Sequence, residues 1–415
     1  MKIAMVAEHT NPLAAHKGEP ACGDSVHIAA LSRQLAKLGH RVTVYARRHS
    51  PALAERSRMG RGVTVEHLAA GPERPLEESA AADHTGDFAR ELGPRLAEES
   101  PDVLHAFGWT SGLAAVSAAQ DAAADSEPLP IVQTFHSLNA AEQRAGLSER
   151  AHRARIEAAV AGRADHVSVN SSDQRFELAR MGLQRDRVSV VPFGVDTDHF
   201  SVEGATSAET WSPRKSGCTR LVAVTDLAGG GADALLHTLR RLPDAELTIA
   251  AGPAHAELPL DDDARRLELL AKELGVDDRL SLTGPLDRKE LPRLLRSADV
   301  FVSGSPYEPS GGAVLEAMAC GLPVVARGVG SVNEAVLHGT TGTLLRTARP
   351  DALARAVRSL AAEPTMATAY GIAGSDRAAS RFTWQRVAAE TERVYQRACP
   401  GGEAELQHAA GDGAH

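Results

Sequence analysis

The sequence is short of aromatic residues, of cysteines and of positive charge. Aromatic residues make up 4% of the 415 residues. The four cysteines are scattered, with no pair at metal-ligand spacing, at Cys22, Cys218, Cys320 and Cys399. This pattern argues against a disulfide framework and favours reduced thiols in the cytoplasm. The formal net charge of −9 argues against nucleic acid as a partner, because neutralising phosphates requires a basic face.

Long apolar runs are also missing. No stretch approaches the roughly 18 apolar residues of a membrane-spanning helix, so no integral membrane span is predicted. Met1–Ala7 is apolar apart from Lys2, and it lacks the long apolar core and cleavage site of a signal peptide. We therefore expect this segment to be the first buried strand of a cytoplasmic protein.

The chain contains enough apolar sequence for two cores. Hydrophobic residues make up 43% and charged residues 24% of the chain, which is typical of globular proteins. A length of 415 residues fits two domains of about 200 residues each.

The first half alternates short apolar runs with helical stretches. Ser25–Leu38 has apolar residues at helical spacing, and Gly39 follows it as a C-cap. The predicted strands are Lys2–Ala7, Arg41–Ala46, Val63–Leu68, Val103–Ala106, Ile131–Thr134, His166–Asn170 and Val188–Val191. Such alternation predicts a parallel sheet with helices on both faces.

The alternation restarts after a polar segment, Ser201–Gly217, which is predicted to be a linker. The predicted strands of the second half are Leu221–Thr225, Glu246–Ala250, Leu280–Thr283, Val300–Ser303 and Pro323–Ala326. The predicted helices are near Asp233–Arg241, Ala264–Leu274, Arg288–Arg296, Gly312–Ala319 and Asp351–Ala362.

The sequence thus predicts an α/β protein of two doubly wound domains, residues 1–200 and 218–383. A last helix, 384–398, is expected to pack back on the first domain, and the polar tail 400–415 is expected to be disordered. Ligands of open parallel sheets bind outside the carboxyl ends of the strands, so the expected active site is the cleft between the domains.

The segment Ser303–Met318, SGSPYEPSGGAVLEAM, carries the strongest chemical signal. A strand runs into a loop with Gly311 and Gly312, and the loop opens a helix whose free N–H groups and positive dipole suit a diphosphate. Glu308 and Glu316 can accept hydrogen bonds from sugar and ribose hydroxyls. Either glutamate alone would be interpreted as a solvated side chain. The ensemble, closed by EAMACGLPVVA, favours a nucleotide-sugar site.

This segment resembles the nucleotide-sugar site of the retaining glycosyltransferases of family 4, group 1. Further similar segments are MKIAMVAEHTNPL, CGDSVHIAALSRQLAKLGHRVTVYARR, VQTFHSL, VSVVPFGVDTDHF and HGTTGTLL, so the resemblance covers nearly the whole chain. The opening resembles members that act on cyclitols, such as those of the mycothiol pathway. The resemblance implies the GT-B fold, in which two Rossmann-like doubly wound domains enclose a cleft.

By this resemblance, His136 and Glu308 are expected to be catalytic. Alone, His136 would be interpreted as a strand-end histidine bonded to backbone. The residues expected at the donor are Gly23, Gly230, Gly284, Glu308, Ser310, Gly311, Gly312, Val314, Leu315 and Glu316. The residues expected at the acceptor are Ser25, Glu77, Trp109 and His136.

The resemblance also implies transfer with retention, without a metal and without a cofactor; the nucleotide sugar is a co-substrate. The leaving diphosphate takes the proton of the acceptor, so the groups that hold it carry the catalysis. The acidic run Asp261–Asp263 superficially resembles a metal-binding motif, but an exposed acidic loop before a helix is the favoured interpretation.

The donor loop departs from the family pattern. Asp226 stands where an arginine is expected and Gly230 where a lysine is expected, so two charge-assisted contacts to the diphosphate are missing. Ser310 replaces the usual phenylalanine. Three explanations remain open: a backbone nest at Gly229–Gly231, another cation such as Arg327 or an N-domain arginine, or a site that binds without turnover.

The acceptor side departs too. Gly108 stands at the place of a tyrosine and Glu77 at the place of a lysine that belong to relatives acting on inositol phosphate. This charge inversion favours an acceptor that is amino-bearing or zwitterionic, in specialised metabolism; a thiol acceptor is an alternative. The sequence leaves the base, the sugar and a homodimer open.

Overall fold

The structure is a computed structural model that describes residues 1–18, 21–76, 78–122, 128–147, 151–206, 218–228 and 231–399. Glu77, Gly230, part of the predicted linker and the tail 400–415 lie outside the described residues.

The first domain is built on a sheet in the order β3-β4-β2-β1-β5-β6-β7-β8. Its strands are β1 (Lys2–Ala7), β2 (Arg41–Arg47), β3 (Arg56–Arg58), β4 (Val63–Leu68), β5 (Val103–Phe107), β6 (Ile131–Phe135), β7 (His166–Val169) and β8 (Val188–Val190). All pairs are parallel except β3 with β4. The central strands are buried along almost their whole length, because helices cover both faces of the sheet.

The helices of this domain follow their strands as the alternation predicts. They are α1 (Pro12–Lys17), α2 (Gly23–Lys37), α3 (Glu78–Ala81), α4 (Thr85–Glu99), α5 (Trp109–Ala122), α6 (Asn139–Arg144), α7 (Ala151–Arg163) and α8 (Ser172–Arg180). The apolar spacing of Ser25–Leu38 matches α2, whose buried face includes Ile28, Leu31 and Leu35.

The second domain has a wholly parallel sheet in the order β11-β10-β9-β12-β13-β14. Its strands are β9 (Thr219–Ala223), β10 (Ala245–Ile249), β11 (Leu280–Leu282), β12 (Val300–Ser303), β13 (Val324–Arg327) and β14 (Gly342–Leu345). Its helices are α9 (Gly231–Leu239), α10 (Asp262–Leu274), α11 (Glu290–Ser297), α12 (Gly312–Ala319), α13 (Val332–Ala335), α14 (Pro350–Ala362), α15 (Pro364–Arg381) and α16 (Trp384–Ala398). The prediction of two doubly wound parallel-sheet domains is confirmed.

The chain returns to the first domain through α16, which packs against α2, β6 and β7. The backbone N–H of Val195 donates to the carbonyl oxygen of Phe382 at 2.7 Å. A Cβ on Gly194 would lie 2.5 Å from Cδ2 of Trp384, so the segment that follows β8 is in direct contact with α16. Within the described part of the chain, no helix is both long enough and apolar enough to cross a bilayer.

Candidate active site

The start of α13 holds the loop between β12 and α12 in place through hydrogen bonds. The backbone N–H of Ser331 donates to the carbonyl oxygen of Glu308 at 2.9 Å, and the Ser331 hydroxyl donates to the carbonyl oxygen of Pro309 at 2.5 Å. A Cβ on Gly330, which has a φ of +51°, would lie 2.3 Å from the Glu308 carbonyl oxygen. Only glycine allows this approach, and it fixes the position of Glu308.

Helix α12 begins directly after this loop, with Gly311 in the left-handed region as its N-cap. The first bond within the helix runs from Leu315 N–H to the Gly311 carbonyl oxygen at 3.0 Å. The amide of Leu315 is therefore already used, whereas those of Gly312, Ala313 and Val314 have no acceptor within the helix. These three amides can receive an anion at the positive end of the helix.

The two glutamates of the segment are half-buried and their carboxylates are poorly solvated. Burial raises the pKa of Glu308 to about 7, although a hydrogen bond from Ser303 acts to lower it. In that hydrogen bond, Oγ of Ser303 donates to Oε1 of Glu308 at 3.2 Å. Burial also raises the pKa of Glu316 to about 7, and the charge of Arg288 opposes it. Ligand hydroxyls that donate to these oxygens would stabilise the ionised forms.

The two domains meet across the cleft at this segment. A Cβ on Gly23, the first residue of α2, would lie 3.8 Å from Oγ of Ser310. A Cβ on Gly312 would lie 3.0 Å from Cε1 of Phe193. The N-termini of α2 and α12 therefore face one cleft, as the resemblance implies for Gly23, Ser310 and Gly312.

In the loop after β9, Asp226 stands where the family pattern has an arginine, so that position supplies no cation. Asp226 is exposed, and its Oδ1 accepts a hydrogen bond from Ala228 N–H at 3.0 Å, so it closes its own turn. A Cβ on Gly231 would lie 3.1 Å from the backbone nitrogen of Ser305, which places the start of α9 beside the loop that leads to Glu308. Gly284, with a φ of +73°, approaches the carbonyl oxygen of Pro253 so closely that a Cβ would lie 2.7 Å away.

Two arginines, Arg327 and Arg288, lie beside the segment that carries Glu308 and Glu316 and can supply positive charge there. Nη1 of Arg327 donates to the Pro306 carbonyl oxygen at 3.2 Å, and its buried Nε has no partner among the described residues. Arg288 pairs with Asp196 and lies near Glu316, whose pKa it opposes. Arg288 was not singled out from the sequence.

His136 lies at the end of β6 in a buried network. Its Nδ1 lies 3.1 Å from Oδ1 of Asp24, and its Nε2 lies 3.0 Å from Nδ1 of His27. Burial, together with the charges of His136 and His105, holds the pKa of His27 well below its usual range. Nε2 of His136 thus lies at hydrogen-bond distance from a second histidine, and its Nδ1 lies at ion-pair distance from the carboxylate of Asp24.

Asp24, in the first turn of α2, links this network to the cleft. Burial would raise its pKa, but the charge of His136 and hydrogen bonds from His136 and His9 outweigh burial and hold that pKa well below its usual range. The sequence gives one signal for Asp24: a carboxylate in the first turn of the helix that opens with Gly23. It was not recognised from that signal.

Ser25 lines a cavity of about 260 Å³ in the first domain, together with Cys22, Pro75 and Leu76. Trp109 does not line it: the side chain is 5% exposed and packs in the core of the first domain. Gly108 has a φ of +83°, and a Cβ there would lie 3.0 Å from Cε1 of His9, so the backbone favours glycine at that point.

The acidic run before α10 is accounted for by local structure. Oδ1 of Asp261 accepts a hydrogen bond from Ala264 N–H at 2.8 Å and caps the helix, while Asp262 and Asp263 pair with Arg265 and Arg266. Within the described residues, no group of three or more His, Cys, Asp or Glu side chains could hold a metal ion.

Comparison with known proteins agrees with this geometry. Residues 23–199 match the family model "Glycosyltransferase Family 4" and residues 231–377 match "Glycosyl transferases group 1". A D-inositol 3-phosphate glycosyltransferase of Catenulispora acidiphila is 31% identical, with 97% of each chain covered. One of Mycolicibacterium gilvum is 32% identical over 92% of this chain and 86% of the relative.

Solved structures share the architecture. A sucrose-phosphate synthase of Thermosynechococcus elongatus superposes with a TM-score of 0.83 at 24% identity, over 96% of this chain and 98% of its own. The Anabaena protein HepE, solved with UDP and glucose, superposes with a TM-score of 0.72 at 17% identity, over 95% of this chain and 99% of its own. The predicted GT-B fold is thereby confirmed, and the chain belongs to the family 4, group 1 glycosyltransferases.

Proposed function

We propose that the protein transfers a sugar from a UDP- or GDP-linked donor to a small polar acceptor, with retention and without a metal ion. The observation that carries the proposal is the meeting of the Gly23 end of α2 with the Ser310–Gly312 start of α12 across the cleft. This arrangement joins two helix N-termini and the Glu308–Glu316 pair at one place, where a diphosphate and its sugar can be held together.

In the proposed complex, the diphosphate lies against the amides of Gly312, Ala313 and Val314 in the first turn of α12. Glu308 accepts hydrogen bonds from the transferred sugar, and Glu316 accepts them from the ribose. The bond between the anomeric carbon and the diphosphate oxygen breaks while the acceptor oxygen bonds to that carbon on the same face. The acceptor proton passes to the leaving oxygen, whose negative charge the helix amides stabilise.

The role proposed for His136 follows from its partners. The carboxylate of Asp24 lies 3.1 Å from its Nδ1, and Nδ1 of His27 lies 3.0 Å from its Nε2, so the ring is held between two protein groups. A fixed ring that lines the sugar pocket and carries a polarised Nδ1–H is the role that this network supports.

The acceptor is proposed to be a cyclitol or another small polyhydroxylated molecule, in specialised metabolism. The support is the activity of the relatives, which are D-inositol 3-phosphate glycosyltransferases, and the small cavity beside Ser25. UDP- and GDP-sugars incubated with a panel of cyclitols would test the transfer, with released nucleotide and product stereochemistry as readouts. A β-linked product from an α-linked donor, or activity that EDTA abolishes, would contradict the proposed retention or metal independence.

A second function, binding of the nucleotide sugar without turnover, is favoured by one observation. Asp226 occupies the place of the family arginine, is exposed, and serves only its own turn. If nucleotide diphosphates bind in the low micromolar range but no donor is consumed with any acceptor, this second function replaces the first.

A further inference from the structure

The cavity beside Ser25 is walled by the ends of two neighbouring strands and the first turn of α2. Its volume of about 260 Å³ is below the roughly 300 Å³ at which drug-sized ligand pockets begin, and it suits a single small ring. The lining side chains that carry polar groups include Glu8, Asn11, Cys22, Ser25, Arg47 and His49.

Glu8 is the most buried charged group of this wall, at 1% exposure. Its two carboxylate oxygens each lie 3.0 Å from the Thr85 hydroxyl, and within the described residues no cation lies at ion-pair distance from it. Burial raises the pKa of Glu8 to about 7, against hydrogen bonds from Thr85 and Thr110 and the charges of His9 and Arg47. A buried carboxylate with no cation at ion-pair distance is costly to keep ionised, and a ligand that supplies a positive charge lowers that cost.

The arginine of the same wall is occupied elsewhere. Nη1 and Nη2 of Arg47 donate to the carbonyl oxygens of Pro72 and Arg74, at 2.6 and 2.7 Å, so its guanidinium holds the loop that leads to the position of Glu77. Its Nε and the hydroxyl of Thr10, both buried, have no partner among the described residues. Unpaired buried polar atoms point to a ligand with hydrogen-bonding groups of its own.

The next arginine along this side of the cleft is neutralised as well. Nε of Arg153 lies 2.8 Å from Glu157, and its Nη1 lies 3.1 Å from Glu142 and 3.7 Å from Glu78. The charge of Glu78 in turn acts on His9, which lines the cavity. Within the cavity lining, the guanidinium of Arg47 already holds two carbonyl oxygens, so a phosphate would have to compete for it, whereas the carboxylate of Glu8 can accept a positive group.

We propose that the acceptor carries an ammonium group that pairs with Glu8, and that Glu8 selects amino-bearing acceptors over phosphorylated ones. The inference rests on the proposed function and adds to it the residue that recognises the acceptor. An ammonium group brings three donors and a charge, which suits a carboxylate whose partners are the hydroxyls of Thr85 and Thr110. Cys22 Sγ and Ser25 Oγ, 3.3 Å apart, lie in the same wall and suit ring hydroxyls.

The test compares three cyclitols that share a six-membered ring: scyllo-inositol, scyllo-inosamine and D-inositol 3-phosphate. Isothermal titration calorimetry with the full chain, alone and saturated with UDP or GDP, measures each affinity. We expect scyllo-inosamine to bind about tenfold or more tighter than scyllo-inositol, as suits a charge-assisted contact. We expect Glu8→Gln, which keeps an oxygen for Thr85, to remove that preference.

The matched control is Glu66→Gln, which removes a carboxylate that is 7% exposed in the same domain and pairs with Arg56 and Arg95 outside the cavity. This variant should keep the preference of the wild type. Three results would overturn the inference: tighter binding of the phosphorylated probe, equal binding of the amine and the alcohol, or no binding of the amine. All three are measured on the wild type, so they decide the question even if Glu8→Gln does not fold. Failure of the proposed function is separate, because it would appear as no donor consumed with any acceptor.

Discussion

Nδ1 of His136 lies 3.1 Å from Oδ1 of Asp24. This contact joins the end of β6 to the first turn of α2, the same turn that begins with Gly23 and meets Ser310 across the cleft. The carboxylate thus connects a histidine of the expected sugar pocket to the helix that faces the diphosphate. Its effect can be separated from that of the donor loop.

Asp24→Asn removes the charge and keeps the shape. We expect kcat to fall by about tenfold or more, as for the loss of an orienting partner of a site histidine, while the Kd of the nucleotide changes by less than about threefold. The nitrogen-bound proton of His136 Nδ1 should also move upfield in the NMR spectrum. The exposed Asp87→Asn on α4 is the control; an unchanged kcat in Asp24→Asn would show that the contact is structural only.

Substitutions of Glu308 and Glu316 are predicted to impair different steps, transfer of the sugar and binding of the nucleotide. Glu308→Ala should lower kcat/KM by about a hundredfold or more, with UDP or GDP still bound, because its proposed partner is the sugar. Glu316→Gln should weaken the nucleotide itself, because its proposed partner is the ribose. Steady-state kinetics and nucleotide titration distinguish the two. An active Glu308→Ala variant would contradict the role given to that residue.

The raised pKa values of this pair give a pH dependence with a definite sign. Both folded-state values lie near 7, above the ordinary 4.5, so the folded protein holds these protons longer than the unfolded chain does. The contribution of the two glutamates to the free energy of unfolding should be greatest below pH 4.5 and should fall as the pH rises to about 7. Glu308→Gln should therefore raise the free energy of unfolding at pH 8 by about 1–3 kcal/mol, and less at pH 5.

Donor affinity should change in the opposite direction. Ribose hydroxyls donate to the ionised carboxylate, so the nucleotide Kd should decrease by about tenfold between pH 6 and pH 8 and then level off. Glu316→Gln should flatten this dependence. A Kd that is already pH-independent in the wild type would show that the ribose does not contact this carboxylate.

The strand, glycine loop and helix around Glu308 and Glu316 could be predicted from the sequence because they are contiguous. They occupy Val300–Ala319, with the glycines at 311 and 312 between the strand and the second turn of the helix. The cavity beside Ser25 could not, because Glu8, Ser25 and Arg47 lie at the ends of three separate elements. Only the sheet order, with β1 beside β2, brings them together.

Two strands were also missed, for local reasons. The edge strand β3 consists of Arg56, Ser57 and Arg58, and it has no apolar alternation because it lies antiparallel at the rim of the sheet. β14 is four residues long and begins with Gly342, which gives little strand signal. The buried central strands, by contrast, are near-continuous apolar runs.

Helix α16 is predicted to stabilise the whole chain through Trp384. The indole is 5% exposed and meets the Phe193 ring edge-to-face at 5.1 Å. Trp384→Ala should lower the free energy of unfolding by about 3–5 kcal/mol, measured by denaturant titration at fixed pH. The neighbouring Gln385→Ala, at an exposed position, should change it by less than about 0.5 kcal/mol; equal effects of the two would mean that α16 is not docked.

Asp226→Arg tests whether the loop after β9 still faces the diphosphate. The wild-type carboxylate is exposed and bonded only to its own turn, through Ala228 N–H, so its replacement should leave the fold intact. If the family geometry holds, the guanidinium reaches the diphosphate, and one charge-assisted contact should tighten UDP or GDP by about tenfold. Asp226→Asn separates the two contributions, since it removes the repulsion and adds no cation. An affinity that neither variant changes would show that the loop points away from the donor, which leaves Arg327 and the helix amides as the groups that hold it.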